Sequence, residues 1–180
     1  MRRLRLTLHL ALMSLLFLAV AGAAAAQDNY PFRVSAFYGL GGADTDDGSS
    51  YGNGTYQLGF SWVSDYAIQV GVRYGELSFD EGPGGRLGSD LTYVTIGGEY
   101  LFDEGYYTSG VYLGLGYYGL DDDELPQFPS DDSVGLVLGL TGDFRIAKRF
   151  SILVELSGHY TDLDDVDLLA MGHVGVAFHF

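Results

Sequence analysis

From about residue 32 to its end the chain alternates apolar and small or polar residues with a period of two. The last eleven residues show it most fully. Gly172, Val174, Val176, Phe178 and Phe180 fall on one face, with Met171, His173, Gly175, Ala177 and His179 on the other. Strict alternation over that length predicts a strand with one oily face. Seven further stretches repeat the pattern, at about residues 32–40, 55–62, 66–75, 93–102, 110–118, 133–145 and 150–161. Eight strands is an even number, as a closed antiparallel barrel with both termini at one end requires.

The connections predicted between these strands alternate in length. Three are short: Ser64-Asp65, Asp103-Glu104-Gly105 and Ala147-Lys148-Arg149. Four are long, at roughly 41–54, 79–90, 120–132 and 162–169. Short turns at one end and long loops at the other match the layout of a membrane barrel with periplasmic turns and extracellular loops. Pro31, Pro83, Pro126 and Pro129 all lie before the first strand or in loops, where no ladder bond is lost.

A secreted barrel would bury the oily face and show the polar face to water. The polar faces here are mostly Gly, Ser, Thr and Ala, with sparse charge of both signs and no lysine. Such a face suits a narrow interior, because about eight strands leave only side-chain room inside. The oily face is therefore read as facing lipid. Trp62, Tyr66, Phe102, Phe144, Phe150, Phe178 and Phe180 gather near the short-turn end. Tyr38, Tyr56, Tyr74, Tyr117 and Tyr160 gather near the other, giving two interfacial girdles.

The first 26 residues stand outside this pattern. Arg2, Arg3 and Arg5 precede an apolar run from Leu6 to Val20, and Ala24-Ala25-Ala26 offers small residues for cleavage. That is the form of a secretory signal peptide, which leaves residues 27–180 as one domain. Removing three arginines from nine basic residues leaves six against 24 acidic, a formal charge of −18. So acidic a chain is a poor nucleic-acid partner, since phosphate binding needs basic patches. The absence of cysteine rules out a disulfide framework and a lipidated N-terminal cysteine.

On the strand count, the turn and loop asymmetry and the terminal Val174-Gly-Val-Ala-Phe-His-Phe180, the chain resembles the small eight-stranded outer-membrane barrels. These are the class of the outer membrane protein A transmembrane domain and the OmpX type. The resemblance covers the whole mature chain and implies a place in the bacterial outer membrane, among lipid and lipopolysaccharide. It also implies that Phe178 and Phe180 form part of the signal read by the barrel-assembly machinery.

Face parity places Arg33, Arg73, Glu99, Asp143, Arg145 and Glu155 in the lumen, with His159, His173 and His179. Buried charges cost several kcal/mol unless paired, so an ion-pair network that plugs the lumen is expected, with Arg73 reaching Glu99 or Glu155. The alternative is that the same charges gate a narrow path for ions or small solutes. His159-Tyr160-Thr161 is similar to the His-x-Ser pair of outer-membrane enzymes that deacylate lipid A. A hydroxyl beside a histidine is sound nucleophile chemistry. Here the hydroxyl is threonine, no glutamate follows on the last strand, and any i, i+2 pair on a strand shares a face by parity alone.

Gly114-Leu-Gly116-Tyr-Tyr-Gly119 spells G-x-G-x-x-G but lies within a strand with no helix after it, so dinucleotide binding is not indicated. Those glycines instead make room for lumen tyrosines. The loops are acidic, with Asp121, Asp122 and Asp123 the densest run. They are read as solvated surface, or as carboxylates that divalent cations bridge to lipopolysaccharide phosphates. Asp44-Thr-Asp46-Asp47-Gly48 does not fit a calcium loop, because the glycine comes one place early and no closing glutamate follows. No cofactor and no built metal site are expected. The sequence thus predicts an all-β, eight-stranded, up-and-down transmembrane barrel with a structural or surface-interaction role and no enzymatic activity.

Overall fold

A computed structural model of the chain describes residues 30–45, 48–64, 67–79, 81–82, 86–87, 90–103, 107–121, 131–163 and 166–180. The strands are β1 (Phe32–Thr45), β2 (Gly48–Val63), β3 (Ile68–Phe79), β4 (Glu81–Gly82), β5 (Arg86–Leu87), β6 (Asp90–Asp103), β7 (Tyr107–Asp121), β8 (Asp131–Ala147), β9 (Phe150–Leu163) and β10 (Val166–His179). Eight of them close an antiparallel barrel in the order β1-β10-β9-β8-β7-β6-β3-β2, while β4 and β5 pair only with each other. The last strand pairs with the first from Arg33 opposite His179 to Asp44 opposite Leu168. Closure leaves no free sheet edge, which a membrane-spanning sheet requires.

Period two sorts the side chains as expected over most of each strand. Leu113, Leu115, Leu138, Leu140, Leu156 and Val174 are exposed on the outside. Their strand neighbours Tyr112, Val137, Glu155 and His173 are buried within. Space inside is limited, and glycine provides it. A Cβ on Gly116 would come within 2.4–2.5 Å of the Tyr118 ring, and one on Gly114 would stand 2.8 Å from the Tyr112 hydroxyl. The G-x-G-x-x-G match is thus accounted for by two tyrosines. Gly119, on the outer face, meets nothing within 4 Å.

The far end of the barrel, opposite the short turns, differs from the expectation. Residues 41–54 and 162–169 are not long loops, because β1 and β2 run on to Thr45 and from Gly48, and β9 and β10 to Leu163 and from Val166. Between these pairs lie only residues 46–47 and 164–165. The strands persist because their interior positions here are oily. Ala43, Leu77, Phe79, Leu91, Leu120, Leu163, Val166 and Leu169 form one buried cluster with Met171, Tyr93 and Tyr118. A shift of register between Val166 and Leu168 brings Val166 into that cluster. Of the densest acidic run, Asp121 ends β7 opposite Asp90, and Asp122 and Asp123 lie outside the described residues, as do Tyr66, Asp46 and Asp47.

Candidate functional site: the barrel interior

At the turn end, the first layer of the interior is ionic. Arg33 on β1 reaches Asp143 at 3.4 Å and Glu99 at 3.7 Å. One turn of pleat deeper on β3, Arg73 reaches Glu155 at 3.0 Å and the same Glu99 at 3.7 Å. Glu99 therefore sits between two guanidinium groups, and its remaining capacity is filled by Gln69, whose Nε2 donates to Oε2 at 2.8 Å, and by the Thr141 hydroxyl. A Cβ on Gly110 would meet that carboxylate at 2.3 Å, so only glycine leaves room for it. His179 stands 3.8 Å from Asp143 and 2.9 Å from the Ser151 hydroxyl.

The pairs cross the lumen rather than running along one strand. Arg33 to Asp143 joins β1 to β8, and Arg73 to Glu155 joins β3 to β9. Such geometry answers the desolvation of each charge from the opposite wall. Arg73 is held on a third side by Tyr112, whose ring centroid lies 3.7 Å from the guanidinium carbon, within cation–π range. Arg145 is different. Parity puts it inside, but it is exposed at the turn-end rim, where it lines a cavity of about 100 Å³ with Arg33, Asp143 and His179.

Above the ions comes a layer of amphipathic rings. The Tyr93 hydroxyl donates to Gln57 Oε1 at 3.1 Å, and Gln57 Nε2 donates to Glu155 at 3.3 Å. His159 has Tyr118 OH 2.9 Å from Nδ1 and Ser157 Oγ 3.0 Å from Nε2. The Tyr93 and Tyr118 rings both flank the imidazole, at 5.4 and 5.7 Å between centroids. Each ring points its polar tip toward the ions and its body toward the oily cluster. The sequence placed tyrosines in the lumen, but not their bonds to Gln57 and His159.

The candidate His159 and Thr161 are both buried inside, away from the lipid-facing surface where an acyl chain would lie. They are not partners. The Thr161 hydroxyl donates to the Val166 carbonyl, and both imidazole nitrogens are engaged by Tyr118 and Ser157. Phe178 and Phe180 form a stack at the turn-end seam, with centroids 6.2 Å apart, and Phe32 lies 5.7 Å from Phe180. Covered in this way, Phe180 is only 8 % exposed, where the alternation alone placed it against lipid.

No family model and no curated protein matches the chain. Solved structures do. Neisserial surface protein A superposes with a TM-score of 0.69 at 16% identity, covering 83% of this chain and 97% of that one. Ail, the attachment invasion locus protein of Yersinia pestis, gives 0.61 at 17% identity over 83% and 97%. The N-terminal β-barrel domain of Pseudomonas aeruginosa OprF gives 0.56 at 16% identity over 81% and 97%. Eight antiparallel strands closed first to last, oily outside and charged within, give this chain the fold that these eight-stranded outer-membrane β-barrels have.

Proposed function

We propose that the protein is an integral component of the bacterial outer membrane with a structural or surface-interaction role, and that its lumen does not conduct. The observation that carries this reading is the filling of the interior in three successive layers, ionic, aromatic and apolar. Leu77, Leu91 and Leu169 in the last layer have no exposed surface at all. An ion crossing the barrel would have to separate the Arg73 pairs and then pass the buried apolar cluster, which is unfavourable by many kcal/mol.

The partners in this reading are outer-membrane lipid and lipopolysaccharide around the belt, and the barrel-assembly machinery at the Phe178–Phe180 seam. Among proteins of the same fold, one is named a surface protein and another an attachment invasion locus protein. That is a fold-level analogy.

The test is reconstitution in planar bilayers beside heat-modifiable gel mobility and outer-membrane fractionation. The expected result is a heat-modifiable outer-membrane band and a silent bilayer at high protein load. Discrete conductance steps would replace the closed reading with the narrow-pore one, and a soluble periplasmic product would overturn the membrane assignment itself.

A further inference from the structure

We propose that the barrel is built for two media, and that its far end is a water-embedded collar with its own soluble-type core. The inference rests on the membrane reading above and adds where the membrane stops. Along β3 the outer face runs Val70, Val72, Tyr74, then Glu76 and Ser78, while the inner face changes from Gln69 and Arg73 to Leu77 and Phe79. β9 repeats the exchange. Leu156 and Tyr160 are outside with Glu155 and His159 inside, and then Asp162 is outside with Leu163 inside.

Both faces thus reverse polarity at one level, that of the tyrosines Tyr74, Tyr117 and Tyr160. Below it the wall is oily outside and polar inside, as hydrocarbon demands. Above it the wall is polar outside and oily inside, as water demands. The hydroxyls inside the collar are satisfied locally. Ser133 Oγ accepts from the Asp162 amide at 2.9 Å, and Thr161 donates to the Val166 carbonyl.

The height of the lower part agrees. From Phe150 to Tyr160 are ten steps of about 3.3 Å, which at a tilt of about 40° rise about 25 Å, the thickness of an outer-membrane apolar band. Outward carboxylates begin directly beyond it, at Asp44, Asp132 and Asp162. Among the described residues, barrel wall and packed interior consequently cover the lumen.

The chain has no cysteine, so single-cysteine variants report without background. Asp44→Cys, Asp132→Cys and Asp162→Cys would be compared with Leu113→Cys and Leu138→Cys in reconstituted vesicles, using a membrane-impermeant maleimide. The expected result is rapid labelling at 44, 132 and 162, and labelling at least tenfold slower at 113 and 138. If 113 and 138 also label rapidly, the membrane reading fails. If those two are protected and 44, 132 and 162 are protected with them, the collar alone is overturned. A second readout uses Leu91→Ala, which should make the segment around residues 43–49 sensitive to added protease while heat-modifiable mobility is retained. Unchanged protease resistance would count against a collar held by this core.

Discussion

The guanidinium carbon of Arg73 lies 3.7 Å from the centre of the Tyr112 ring, and through Nη1 the same group reaches Glu155 at 3.0 Å. One arginine is thereby fixed by an aromatic face from β7 and a carboxylate from β9. Arg73→Ala leaves Glu155 and half of the Glu99 environment without countercharge. Breaking a buried pair from one side costs about 3–5 kcal/mol. Arg73→Lys retains the charge but loses the planar stacking, a loss of about 1 kcal/mol. Urea unfolding in detergent or lipid should rank the variants in that order, and equal stability of wild type and Arg73→Ala would refute the structural weight given to this pair.

Gly75→Ala should be destabilising by about 1–3 kcal/mol, the usual cost of overpacking a filled interior. A Cβ there meets the Tyr93 ring and hydroxyl at 2.3 Å. Tyr93→Ala introduced with it removes the ring but leaves the Tyr56 carbonyl 2.8 Å from the same Cβ, so the two substitutions should be partly non-additive in a double-mutant cycle. Additive costs would show that the ring is not what opposes the added methyl group.

Deletion of Phe180 removes two backbone hydrogen bonds with Phe32, at 3.0 and 2.9 Å, together with the ring stack. At about 1 kcal/mol per bond and about 1 for the aromatic contact, the seam should weaken by about 3 kcal/mol. If the residue is also part of an assembly signal, the yield of folded protein in cells should fall further than refolding in detergent does. Comparison of heat-modifiable fractions from the two sources separates these effects.

Lipid A from cells with the protein, and with its His159→Ala or Thr161→Ala variants, should carry the same acyl chains as lipid A from cells lacking it. Both residues face the interior and are bonded to other partners. A mass difference of one acyl chain dependent on either residue would establish the deacylase alternative.

Much of this was legible in the chain, and what was not has two physical causes. Period two alone sends Arg33, Arg73, Glu99 and Glu155 to one face, and the need to neutralise buried charge limits their partners to one another. The strands run past the ends that an alternation of one sign predicts. In Tyr74-Gly-Glu-Leu77-Ser-Phe79 and in Asp90-Leu-Thr-Tyr93 the period continues while its phase reverses, and a reversed phase reads as a loop when only an oily outside is sought. The cross-lumen hydrogen bonds of Tyr93 and Tyr118 could not be read at all, since they depend on which glycine faces each ring from the next strand.

The reversal at the tyrosine level also makes the barrel a gauge of bilayer thickness. An oily band of about 25 Å has no spare height, because Asp132, Asp162 and Glu76 begin directly above it. A thicker membrane would draw these carboxylates toward hydrocarbon or force the lipid to thin around the wall, at a cost of fractions of a kcal/mol for each ångström of mismatch. Summed around eight strands, such a cost would exclude the folded barrel from thick bilayers and retain it in thin ones.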